Sequence, residues 1–181
     1  MRTSPQEYTS SAKLMHWLGA ILIFVVFPLG LVLEELPRGP LKGLVINTHE
    51  AIGVAVFLVA ALRLVRRGIS GSPAPVAGTP LERLAAGVVH VGAYLLLLAI
   101  PLVGWAMVSA GGHTVDLGLF SLPSLVAPNE ELKEVLGEVH EVLAWGLLGL
   151  VAVHVAAALK HHWFDHDQTL VRMLPNRRAA S

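Results

Sequence analysis

Four stretches of this 181-residue chain run for 18 to 27 residues with almost no charged side chain, and no other feature limits its possible folds as tightly. They are Leu14 to Leu33, Gly43 to Leu62 (interrupted only by His49 and Glu50), Leu84 to Ala110 and Val142 to Leu159. A helix rises ~1.5 Å per residue, so about 20 residues cross a hydrocarbon core of roughly 30 Å, whereas a soluble core has no need of segments that long. The composition agrees: 54% of residues are hydrophobic, 14% are charged, and the mean hydropathy is +0.64. The expectation is an all-α bundle of four transmembrane helices in a single domain, 1–181, with crossings at 14–33, 43–63, 84–108 and 138–160.

The first run is too long for the apolar part of a signal peptide, and Glu34-Glu35-Leu36-Pro37 offers no small-residue cleavage site, so it reads as an uncleaved helix. Residues 63–83, rich in glycine and proline, read as an exposed loop. Pro128-Asn129-Glu130-Glu131 predicts a fourth helix that starts near Glu130, outside the bilayer, with Asn129 as its N-cap. Pro28 and Pro101 are expected to kink the first and third helices.

Charge is informative only through its placement. Thirteen basic residues balance thirteen acidic ones, so nothing points to nucleic acid as a partner. Ten of the basic residues fall in the N-terminus (Arg2, Lys13), the second connection (Arg63, Arg66, Arg67, Arg83) and the tail (Lys160, Arg172, Arg177, Arg178), leaving Arg38, Lys42 and Lys133 on the other side. By the positive-inside rule both termini are cytoplasmic, as four crossings require. Cysteine is absent, which excludes disulfides and thiolate-held metal centres.

Nine histidines remain to be explained, because ionisable groups at bilayer depth are costly and usually functional. His140 and His154 are 14 residues apart in the fourth helix, about 21 Å of rise and roughly 40° in azimuth, so they share a face with one near each leaflet. Depth then pairs His49 with His140 at the outer level and His16 with His154 at the inner level. Two neutral imidazoles facing each other across a bundle suit the axial positions of a haem. Gly53, Gly146 and Gly149 are expected to make room for the macrocycle. Structural zinc fits poorly, since it wants four ligands converging at one level.

His90, at the inner depth of the third helix, is a third histidine where two axial positions exist, and it reads as a polar contact to a quinone or a haem edge. Lys160 and His161, with His162, stand at the inner interface as either a solvated helix end or a quinone headgroup site with a proton path. His113 and His166 fall in connections and are expected to be solvated. Trp17, Trp105, Trp145 and Trp163 suit an aromatic belt, and Glu50 and Glu141 reach headgroup water.

Several motifs in this order resemble the bacterial cytochrome b561 family: His16-Trp17, Asn47-Thr48-His49-Glu50, His90-Val91-Gly92-Ala93-Tyr94 with Ile100-Pro101-Leu102-Val103-Gly104, Val139-His140-Glu141, Val153-His154-Val155, Lys160-His161-His162-Trp163 and Asp167-Gln168-Thr169-Leu170. The resemblance covers nearly the whole chain. It implies a bundle in the bacterial inner membrane binding two haem b groups, the inner held by His16 and His154 and the outer by His49 and His140. It also implies an oxidoreductase that passes electrons to quinone, ubiquinone being the expected acceptor, from superoxide or a periplasmic redox protein. The segment Ser109 to Val139 carries five acids and only Lys133, which suits a basic protein donor to a haem-bearing membrane anchor better than an anion.

Overall fold

In the computed structural model, which describes residues 8–71, 73 and 79–174, the chain forms four helices: α1 (Ser10–Glu35), α2 (Pro40–Ser70), α3 (Pro80–Ala110) and α4 (Glu130–Trp163). A single turn of 3₁₀ helix, Val171–Met173, follows. Arg2, Arg177, Arg178 and part of the second connection lie outside the described residues. All four helices are long and apolar enough to cross a membrane. Each exceeds its apolar run, because its ends continue past the level where charge begins and are stabilised there by caps.

Those caps follow from the sequence. The Thr9 hydroxyl accepts the Ala12 N–H, and Pro40 begins α2 where no N–H is needed. Thr79 and Glu82 form a reciprocal capping box on α3. Asn129 accepts the Leu132 N–H as the expected N-cap of α4, and the acids of its first turn and the basic last turn (Lys160, His161, His162) complement the helix dipole.

Among the described residues only Val56, Ala60, Pro73, Leu97, Ala110, Val115 and Leu147 are buried apolar side chains, whereas Ile21, Phe24, Leu58, Leu62, Leu95, Val142 and Val153 are exposed. Helices arranged this way turn apolar surface outward to lipid, where the backbone is satisfied within each helix. The inward faces follow a seven-residue spacing, which returns to within about 20° of the same azimuth. His16, Ile23 and Gly30 lie on α1; His49, Val56 and Arg63 on α2; His90, Leu97 and Gly104 on α3; His140, Leu147 and His154 on α4. The buried Val56, Leu97 and Leu147, packed with Ile23, form the middle layer. That apolar layer separates two polar levels by about 10 Å on either side.

Candidate functional site: two histidine levels

At the outer level, the His49 and His140 rings have centres 6.2 Å apart. Two glycines allow this. A Cβ on Gly30 of α1 would meet the His49 ring carbon at 3.2 Å, and one on Gly104 of α3 would meet His140 at 3.1 Å. Each ring therefore lies against the bare backbone of the neighbouring helix. The His140 Nδ1–H donates to the Ile100 carbonyl at 3.1 Å, one turn before Gly104. A carbonyl can only accept, so the proton is on Nδ1 and the Nε2 lone pair of the neutral ring is free. His49 repeats the arrangement with the Val26 carbonyl beside it, one turn before Gly30, but its buried Nδ1 makes no hydrogen bond of good geometry.

At the inner level, His16 and His154 have ring centres 6.1 Å apart. The His16 Nδ1 is buried and has no hydrogen-bond partner. His90 approaches the same His154 ring to 5.5 Å. No glycine occupies the α2 position of this layer: Arg63 does, within electrostatic range of His16, His90 and His154. Its guanidinium stacks over Tyr94, 5.7 Å from the ring centre.

Two imidazoles bound on opposite sides of one iron, each with a metal–nitrogen bond of about 2.0 Å, have ring centres about 6 Å apart. Both pairs match this separation, and each uses two helices. The donor chemistry and the spacing fit a haem at each level.

Around the inner level the structure separates the other sequence-selected residues. His90, Arg67 and Tyr94, with Leu95 and Leu98, line a groove of about 270 Å³ between α2 and α3. Lys160 and His161 are instead engaged with carboxylates. Lys160 bridges Glu82 of α3 and Asp165, each at 2.8 Å, and His161 Nδ1 lies 2.9 Å from Asp165 and 2.8 Å from Asp167. Asp167 also accepts the Thr169 N–H at 2.7 Å. Burial alone would raise the Asp167 carboxyl, but the Thr169 hydrogen bonds and His161 together hold it below its ordinary value. His161, Asp165 and Asp167 are the one group of three metal-type side chains with converging donor atoms among the described residues. Their donors are already shared with Lys160 and Thr169, so the cluster closes the end of α4 onto the tail.

Sequence reasoning missed Gly30 and Gly104, which lie on helices other than those of the histidines they accommodate. Gly53 does have open space beside it, one turn from His49, but Gly146 and Gly149 are exposed and sit off the histidine face of α4. Two tryptophans do more than populate a belt. Trp17 Nε1 donates to the Met173 carbonyl at 2.8 Å, docking the tail, and Trp105 Nε1 donates to Pro123 at 2.9 Å, docking the α3–α4 connection. Glu50 of α2 faces the Asp116 backbone N–H of that connection. His113 and His166 are exposed.

The model of the prokaryotic cytochrome b561 family matches residues 7–176. The chain belongs to that family. Cytochrome b561 homolog 2 of Escherichia coli (strain K12) is 33% identical over 180 residues, covering 94% of this chain and 93% of the relative. Cytochrome b561 homolog 1 of the same organism is 30% identical over 176 residues, covering 95% and 99%. A Yersinia pestis protein named probable superoxide oxidase CybB is 28% identical over 170 residues, covering 91% and 93%. The family consists of membrane electron-transfer cytochromes carrying b-type haem, so this chain is a multi-pass member of a prokaryotic membrane.

Proposed function

We propose that the chain is a dihaem cytochrome b of the inner membrane that takes electrons at the His49 end and delivers them to a quinone, ubiquinone first, at the His16 end. The observation that carries this reading is the pair of depth-matched histidine couples, 6.2 and 6.1 Å between ring centres. Bound at those couples, two b-type haems would supply one-electron transfer with no iron position left open to substrate. The protein's own part is positional. His140, tied to Ile100, presents Nε2 inward; the Val56, Leu97 and Leu147 layer keeps water from between the two levels.

Quinone enters from the lipid through the groove between α2 and α3. There His90 stands between the groove and His154, with Arg67 to receive a headgroup oxygen. Of the three quinone-site candidates this favours His90 for headgroup contact. Lys160 and His161, held in their carboxylate network, suit a proton path from the cytoplasmic surface. With superoxide as donor, two superoxide anions lose one electron each, and quinone takes both electrons and two protons, giving two dioxygen and one quinol. Positive charge faces the quinone side, so both termini are cytoplasmic.

A second reading is favoured by charge at the His49 end. Glu34, Glu35, Glu50, Asp116, Glu130, Glu131, Glu134, Glu138 and Glu141 stand there against Arg38, Lys42 and Lys133. Such a surface repels an anionic donor and attracts a basic redox protein, making the chain a haem-bearing anchor. Reduction of the purified protein by enzymatically generated superoxide, with quinol formation as the readout, tests the first reading. Absence of quinol, together with rapid salt-sensitive reduction by a basic redox protein, would favour the second.

A further inference from the structure

The connection between α3 and α4 is anchored at its root and apolar at its tip. Val115 is buried, the Leu125 N–H reaches the Ser109 hydroxyl at 3.1 Å, and the Asn129 N–H reaches the Ala110 carbonyl at 2.8 Å. From that root a small hairpin projects. Asp116 and Ser121 pair as an antiparallel bridge, Leu117 N–H donates to Phe120, and Leu122 N–H donates to Val115. Gly118 takes a φ of 81°, a left-handed conformation suited to glycine, and its N–H is held by the Asp116 carboxylate at 2.8 Å. The tip is Leu119, 96% exposed, followed by Phe120, 60% exposed. Residues 117–128 contain no charged side chain, although acids flank them at Asp116 and Glu130.

The direction of the hairpin follows from what it meets. Asp116, Leu117 and Gly118 face Asn47, Thr48 and Ala51 of α2 across a groove of about 440 Å³. Asn47, Thr48, Ala51 and Ala55 lie about 100° or more in azimuth from His49, and Ile52 about 60°, so the hairpin crosses the flank of α2 beside its histidine face. Depth comes from the contact between Gly30 and His49, which sets the register of α1 against α2. The first charged residues of α1 beyond Gly30, Glu34 and Glu35, are about 6–8 Å farther out. Asn47 to Ala51 span only about 3 Å either side of the His49 level. The hairpin therefore meets α2 on the membrane side of α1's terminal charges.

We propose that this hairpin is a lipid-seated strap, with Leu119 and Phe120 placed among the phospholipids of the leaflet on the His49 side. An uncharged segment with a large exposed leucine and phenylalanine loses little by entering the headgroup–acyl boundary and gains the burial that water denies it. Glu50 and Trp105 then hold its two arms at the rim, so the strap fixes the outer end of α2 relative to α3. The inference rests on the membrane topology and is independent of the haem assignment.

The chain has no cysteine, so Leu119→Cys and Phe120→Cys each provide a single site for a nitroxide label in the full-length haem-loaded protein, reconstituted in phosphatidylethanolamine–phosphatidylglycerol vesicles. Leu58→Cys, on the lipid face of α2, and Glu134→Cys, on the protruding turn of α4, give the two reference environments. Labels at 119 and 120 are expected to collide with oxygen far more than with a water-soluble nickel chelate, with a ratio closer to that at 58. Ratios closer to that at 134 would overturn the proposal and leave the tip as a water-facing surface for a protein partner. Both tip residues are exposed, so their replacement leaves packing intact, and an unchanged haem spectrum verifies the fold.

Discussion

His49 and His140 face each other from α2 and α4 with ring centres 6.2 Å apart, each ring lying against a glycine of a third and fourth helix, Gly30 and Gly104. Four helices thus meet at one level, and the level can be perturbed from outside the ligand pair.

Gly104→Val is expected to displace His140, because even a Cβ would lie 3.1 Å from its ring carbon. Overpacking of this kind costs about 1–3 kcal/mol. The outer haem signal should be lost or shifted while the inner one is retained, read by electron paramagnetic resonance of the oxidised protein. Equal disturbance of both signals would contradict the separation into levels.

His154→Ala and His90→Gln distinguish the third inner histidine from the axial pair. The first should leave one haem per chain. The second should leave two haems and slow quinol formation at least several-fold. Loss of a haem from His90→Gln would transfer the axial role to His90.

Arg63 occupies, on α2, the layer of His16, His90 and His154. A fixed positive charge there favours the reduced form of a cofactor at that level. Arg63→Gln should lower the inner midpoint potential by tens of millivolts and leave the outer one in place, measured by spectroelectrochemical titration.

The shared face of His140 and His154, 14 residues apart in α4, was legible in the sequence, and with it the two levels and the four crossings. Gly30 and Gly104 were not legible, because their role depends on the register between helices that only packing sets. Lys160 and His161 read from sequence as candidates for a quinone headgroup. Their carboxylate partners include Glu82, which is brought to them from the start of α3. The docking roles of Trp17 and Trp105 were hidden for the same reason: their acceptors, Met173 and Pro123, lie in the single 3₁₀ turn of the tail and in the α3–α4 connection, neither long enough to carry a periodic pattern.

Tail docking should depend on pH through Asp167. Its folded value is held below the ordinary 3.8 by the Thr169 hydrogen bonds and by His161, so the stability this carboxylate lends the tail is present above that ordinary value and is lost as pH falls through the depressed one. Protease sensitivity of the segment after Trp163 should stay low from neutral pH down to about 5 and rise in stronger acid. Asp167→Asn should show raised sensitivity already at neutral pH. Trp17→Phe, which removes the hydrogen bond to Met173, should weaken docking by about 1 kcal/mol.

The packing between levels predicts a cost without loss of cofactor. Leu147 is buried midway between His140 and His154, and Leu147→Ala should destabilise the bundle by about 2–4 kcal/mol in denaturant titration while both haems remain bound.

Haem stoichiometry of the purified, detergent-solubilised chain, from a pyridine haemochrome assay paired with oxidised and dithionite-reduced spectra, tests the central claim most directly. Two b-type haems per chain, falling to one in either His140→Ala or His154→Ala, is the result predicted. One haem in the parent protein, or two retained in either variant, would contradict the assignment of a haem to each histidine level.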